Sequence, residues 1–359
     1  MRWSTHILLL GLVLLVSACA ETPMAFRLGD PNHGAAKVWP DAPEQARYRY
    51  VGELTGENNF LPDDAYQPSA AQSVFNWLVG LVGSGKPKPV MLQRPQSGVT
   101  DENGRIYVTD IGRAAVYVFD IAEAKLEVWD QARAESRFES PIGIALGKQG
   151  EILVADAQLH TIFRLDSTGK PVGEFGGNDL LRPTGLARDP QNALIYVADT
   201  YAHNIKIFDD NGILLGTIGQ RGEADGEFNF PTHLYFSGGK LYVTDTLNSR
   251  IQIFDSSGKM IGKFGKRGLN VGNLVRPKGV AVDSEDNIYV VESFYDNLLV
   301  FDQSGRTLLS LGGNGNEAGQ FYLPAGVWAD HRDQIYVADM FNGRVTIVQY
   351  LGTANERNE

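Results

Sequence analysis

The sequence predicts an all-β fold: a six-bladed β-propeller with four antiparallel strands per blade, closed by a strand from near the N-terminus. Four observations carry this reading. An apolar run ending in an acid occurs six times: IYVTD to Asp110, ILVAD to Asp156, IYVAD to Asp199, LYVTD to Asp245, IYVVE to Glu292 and IYVAD to Asp339, at intervals of 46, 43, 46, 47 and 47 residues. Self-similarity at such a period marks a repeat architecture. Ahead of each run stands a proline-led segment such as PIGIAL, PTGLAR, PTHLYF, PKGVAV or PAGVWA, with a looser PQSGVT in the first copy. Ten residues after each of the first five acids, a further strand ends in aspartate. Finally, YRYVGELTG (Tyr48 to Gly56) has the pattern of an outer strand but precedes every repeat, whereas the sixth repeat stops after three strands.

These pieces assemble in one way. Alternating β-branched and aromatic residues bounded by Gly, Asp and Asn indicate short strands rather than helices. Four antiparallel strands per repeat make a propeller blade. An incomplete last blade would expose a row of unpaired backbone groups, so the early strand is expected to complete it.

Along the chain, residues 1–18 read as a signal peptide, with Arg2, an apolar core from Ile7 to Val16 and small residues before the cut. The apolar run is too short to span a bilayer, which takes about 20 residues. The stretch VSAC resembles the bacterial lipobox, which implies lipidation at Cys19, the one cysteine of the chain. With Ala20 next, rather than an acid, the resemblance implies anchorage in the outer membrane. Residues 19–46, rich in Pro, Ala and Gly without periodicity, read as a tether, and 47–56 as the closing strand. The insertion 57–93 carries a helix from Ser69 to Gly83, opened by a Ser69/Gln72 capping box, to pack on the propeller or face membrane or partner. Residues 352–359 form a polar tail.

Composition narrows the partners. A formal charge of −11 excludes the basic footprint that nucleic-acid binding requires. A single cysteine leaves no multi-cysteine metal site.

Three linkers share one spacing: Gly219, Gly222, Gly226 and Phe228 to Pro231; Gly265, Gly268, Gly272 and Leu274 to Pro277; Gly312, Gly315, Gly319 and Phe321 to Pro324. An Asn-x-Arg turn also recurs, at Asn248 with Arg250 and at Asn342 with Arg344. Together these resemble the NHL repeat, and the chain resembles an NHL-type propeller lipoprotein of the bacterial envelope over about residues 47–351. Blades one and two depart from the pattern, with Arg113-Ala-Ala and Leu159-His-Thr in place of the Asn-x-Arg turn.

The resemblance places the Pro-x-Gly starts and the turns after the acids on one face, around the central channel. Asp110, Asp156, Asp199, Asp245, Glu292 and Asp339 would ring that channel as a cation site, or each would cap its own turn, as aspartates do. Repetition in every blade favours the capping role. His233 replaces the glycine of its Pro-x-Gly start, and His160 and His203 follow their acids. Three histidines suffice for zinc, as in the peptide-amidating lyases that share this propeller type. Here they fall in different loop classes, so the reading favours no metal. Gly80 to Lys86 has P-loop spacing, but Pro87 stands where Ser or Thr should hold magnesium. The linker glycines lead into strands rather than helix N-termini, which removes a phosphate cradle.

The function expected is a rigid, lipid-anchored binding platform without catalysis or cofactor, because loops on rigid scaffolds carry binding. The face expected to serve holds Tyr201, His203, His233, Asn248, Arg250, Tyr295, Phe341, Asn342 and Arg344. Its partner would be another envelope protein, a peptide or a glycan. The alternative is a metal-dependent lyase or lactonase-like hydrolase using zinc or calcium in the channel.

Overall fold

The computed structural model describes residues 23–29, 37–63 and 88–352. The expected signal peptide, Cys19, the helix expected over 69–83, the Gly80–Lys86 stretch and residues 353–359 lie outside them. Six antiparallel sheets radiate from one axis, and the chain is a six-bladed propeller. The innermost strands are Pro95–Thr100, Pro141–Leu146, Pro183–Asp189, Pro231–Ser237, Pro277–Val282 and Val327–Ala329. Each is the neighbour of the next, and the last returns to the first. Among the described residues there is no α-helix, only four single 3-10 turns.

Blade four shows the plan. Pro231–Ser237 pairs with Lys240–Asp245, which pairs with Arg250–Asp255, which pairs with Met260–Phe264. Strands such as Ile106–Asp110 and Ile152–Asp156 are buried at every position rather than at alternate ones. Both faces of a blade pack against neighbouring blades, so no face meets water and continuous apolar runs result. Tyr242 and Ile253 of blade four thus share a cluster with Val280, Val290 and Leu299 of blade five.

The glycine of each Pro-x-Gly start has a steric cause. A Cβ on Gly143 would meet Thr184 O at 2.3 Å, and one on Gly326 would meet Gln96 O at 2.3 Å. Adjacent inner strands touch backbone to backbone there. The axis opens towards the opposite face, where a cavity of about 470 Å³ is lined by Val99, Leu146, Leu186, Phe236 and Trp328.

The ring closes as expected. Tyr48–Leu54 pairs antiparallel with Arg344–Tyr350, from Tyr350↔Tyr48 to Val345↔Leu54. The looser first copy is also a true inner strand, with Pro95 opposite Asp110.

Two parts differ from expectation. The segment read as a tether carries structure: Val38–Trp39 adds a fifth strand to the closing blade, and Met24–Phe26 pairs with Phe60–Pro62. Trp39 is buried among Tyr48, Tyr50 and Phe321, and Gly52 makes room for Leu28, which a Cβ would meet at 2.6 Å. Strands of two or three residues are too short for a periodic signature. An unpredicted hairpin, Gln131–Arg133 with Ser136–Arg137, also bridges blades one and two and buries Ala132 and Phe138.

Candidate binding face

The six acids share one end of the blades, and five of them pair with their own inner-strand start: Pro95↔Asp110, Pro141↔Asp156, Pro183↔Asp199, Pro231↔Asp245 and Pro277↔Glu292. All six are buried. They are occupied by hydrogen-bond donors rather than facing one another. Asp110 accepts from the backbone N–H groups of Gln93, Arg94, Gly112 and Arg113, and Asp156 from Glu139, Ser140, Gln158 and Leu159. Asp199 takes Leu181 and Arg182, and Glu292 takes Val275, Arg276 and Phe294. Each carboxylate therefore staples the incoming linker, and in three of these four blades its own turn as well.

Four residues after each acid, the turn passes through the left-handed region: Ala114, His160, His203, Ser249, Asp296 and Gly343 all have φ between 51 and 62°. Asn, Asp and His tolerate this conformation better than most residues. In four blades this side chain also bonds to the next blade. His160 Nδ1 meets Leu181 O, His203 Nδ1 accepts from Phe230 N at 3.2 Å, Ser249 Oγ donates to Val275 O, and Asp296 Oδ1 accepts from Leu323 N at 2.6 Å. His160 and His203 are thus interblade latches, not members of a common ligand set. Phe230 and Leu323, so held, have φ of 55 and 47° just ahead of prolines, a strained conformation for bulky residues.

His233 is 8% exposed and its Nδ1 contacts Thr232 Oγ1 at 3.1 Å, while its buried Nε2 has no partner among the described residues. Burial, with the Lys278 ammonium adding to it, pushes its pKa down to about 3. Burial likewise lowers Lys278. Among the described residues no three His, Cys, Asp or Glu side chains converge as metal ligands.

The Asn-x-Arg residues, expected on the binding surface, are clamps instead. Arg250 donates from Nε to Asp245 at 2.7 Å and from its Nη atoms to the carbonyls of Glu223, Ala224 and Glu227. Arg344 repeats this with Asp339 and the carbonyls of Asn316, Glu317 and Gln320, and also reaches Glu53 of the closing strand at 2.7 Å. Asn248 and Asn342 hold Gly222 O and Gly315 O. Both arginines are buried, so they and the two asparagines fix the linkers and are not free for a partner. Burial raises the pKa of Asp245 and Asp339, and these donors counter it.

Beside the exposed Arg113, Glu139, Gln158 and Arg276, an apolar set remains outward. Two residues after the acid, Tyr201, Leu247, Phe294 and Phe341 are 57, 52, 54 and 46% exposed. Leu181 and Tyr322, two residues before their prolines, are exposed beside them. Arg182 lies 5.2 Å from the Tyr201 ring and Arg94 5.5 Å from Phe341, while Tyr322 packs on Phe341 at 5.4 Å. Tyr295 is half-buried in a groove of about 260 Å³ next to the linker residues Leu269 and Val271. Of the nine face residues expected, Tyr201, Tyr295 and Phe341 stay accessible. Leu181, Leu247, Leu269, Val271, Phe294 and Tyr322 were missed. Leu247 and Phe294 had a signal in the second position after the acid, where blades three to six read Tyr, Leu, Phe and Phe; the other four are linker residues outside that pattern.

A family model described as a 6-bladed beta-propeller matches residues 231–305. Among solved structures, the chain is similar to an auxiliary nutrient binding protein from Bacteroides thetaiotaomicron, at 14% identity and TM-score 0.57, over 73% of this chain and 70% of that one. A counterpart from Bacteroides ovatus matches at 17% identity and TM-score 0.56, over 72% and 69%. Virginiamycin B lyase from Staphylococcus aureus matches at 14% identity and TM-score 0.52, over 72% and 95%. At these identities the likeness establishes the propeller fold alone.

Proposed function

We propose that this chain is a non-catalytic, lipid-anchored envelope protein that binds a polypeptide partner on the face carrying the acid turns. The observation that carries the reading is the belt of Tyr201, Leu247, Phe294 and Phe341, each about half exposed and each at the same position of its blade. Exposed aromatic and aliphatic side chains held on a rigid ring suit interface anchors, whose ordering cost on binding is small. The turn acids, His160, His203 and the two arginines that could do chemistry there are tied into contacts with the linkers, and His233 is buried. Lipidation at Cys19, outer-membrane anchorage through Ala20 and the NHL resemblance enter as parts of the same proposal. No cofactor is required by it. Two of the similar structures are described as nutrient binding proteins, which agrees with a binding role.

The lyase or hydrolase alternative is favoured by the likeness to virginiamycin B lyase and opposed by the burial of His233. Elemental analysis separates the two, since stoichiometric zinc or calcium lost in His233→Ala would support the enzyme. For the binding role, partner recovery from solubilised membranes is compared between Phe294→Ser, Phe341→Ser and the outer-edge control Leu215→Ser. Loss of a discrete partner in the first two alone is expected. Equal recovery by all three would refute the assignment of the face.

A further inference from the structure

We infer that the groove in blade five is an empty arginine slot that takes a guanidinium group from the partner; this rests on reading that face as the binding face. The template is internal. In blades four and six the residue paired with the acid, Asp245↔Arg250 and Asp339↔Arg344, sends its guanidinium onto three linker carbonyls. In blade five the pair is Glu292↔Asn297, and asparagine cannot reach. The linker nonetheless turns in the same way: Asn273 N donates to Asn270 O at 2.9 Å, as Glu227 N does to Ala224 O and Gln320 N to Glu317 O.

By the shared spacing, the carbonyls equivalent to those gripped in the other blades are Leu269, Asn270 and Asn273. Among the described residues, nothing donates to the carbonyls of Leu269 and Asn273, and Asn270 O receives only the turn. These three residues, with Glu292, Tyr295 and Asn297, line the groove of about 260 Å³. Neither Arg267 nor Arg276 enters it. Both Glu292 oxygens already accept backbone N–H groups, so the carbonyls supply the contacts and the carboxylate supplies charge. A planar fork of N–H donors fits spaced acceptors as a lysine ammonium does not. Tyr295 and the exposed Leu269 and Val271 would cover the aliphatic stem.

The test titrates the full chain with N-acetyl-L-arginine methylamide, its lysine counterpart and the neutral isostere N-acetyl-L-citrulline methylamide, followed by chemical shifts of the 266–276 amides. A tetrapeptide bearing one central arginine separates a polypeptide source from a free guanidino compound. Saturable binding of the arginine forms is expected, tighter for the tetrapeptide, with the citrulline form weaker by about tenfold or more. Asn297→Arg should fill the slot from within, abolish this binding and leave the thermal midpoint unchanged or higher. Equal response to arginine and citrulline forms would mean an apolar groove and overturn the inference, as would binding that survives Asn297→Arg or a destabilised Asn297→Arg chain. A free amide binding as well as the tetrapeptide would overturn the partner source. If the slot fails while Phe294→Ser and Phe341→Ser still lose the partner, the face reading stands alone.

Discussion

Replacing Arg344 with alanine should be among the most damaging single changes outside the apolar core. The guanidinium makes five hydrogen bonds, to Asp339, Glu53, Asn316, Glu317 and Gln320, at 2.7 to 3.1 Å. Its side chain is 6% exposed and that of Asp339 is 0% exposed. The three carbonyls belong to a surface linker and can recover water once the arginine is gone. Asp339 cannot, and keeps only Tyr322 N and Asn342 Nδ2. Removing one partner of a buried ion pair costs about 3–5 kcal/mol, because the other charge stays buried. At roughly 2 °C per kcal/mol for a chain of this size, the thermal midpoint should fall by about 6–10 °C. Since the same guanidinium holds Glu53, amide exchange in Tyr48–Leu54 should quicken as well. Arg306→Ala is the control. Its pair with Asp302 is exposed on the arginine side, 76% against 27%, and should cost under about 0.5 kcal/mol. Urea unfolding followed by tryptophan fluorescence measures both. Equal losses, or a loss below about 1 kcal/mol for Arg344→Ala, would refute the clamp.

Three further outcomes follow from the same geometry. His233 has its pKa lowered from 6.5 to about 3 in the folded chain, so its stabilising effect is complete above pH 6.5 and is lost as pH falls towards 3. At pH 5 the loss is about 2 kcal/mol, and His233→Gln should flatten that part of the stability–pH curve. Gly326→Ala should destabilise by about 1–3 kcal/mol, since its Cβ would meet Gln96 O at 2.3 Å, whereas Gly216→Ala meets nothing within 4 Å and should be near neutral; paired unfolding curves check this. Equilibrium unfolding of Asp199→Ala should show a loss of at least about 1–3 kcal/mol, because Leu181 N and Arg182 N lose their acceptor.

The ring was legible because its repeat is covalent: an acid every 43 to 47 residues fixes which strands pair, and the lone YRYVGELTG then has one vacancy to fill. The acids' capping role was legible for the same reason. The arginines were misread because a sequence motif states that a guanidinium recurs, not whether it points at solvent or at its own linker. His160 and His203 looked like candidate ligands, yet their positions are set by a backbone in the left-handed region, a property visible only once all six turns are superposed. The Val38–Trp39 and Met24–Phe26 strands escaped notice since two or three residues carry no period, and their energy comes from Trp39 and Phe26 packing on distant partners.

The central claim is that one face of the disc makes the contact. A photoreactive phenylalanine analogue placed at Phe294 or Phe341, and separately at Phe236 in the opposite mouth and Leu215 on the outer edge, tests it in native membranes. Discrete cross-linked adducts from Phe294 and Phe341, with none from Phe236 or Leu215, are the expected result. Adducts from Phe236 or Leu215 with Phe294 and Phe341 silent would contradict it.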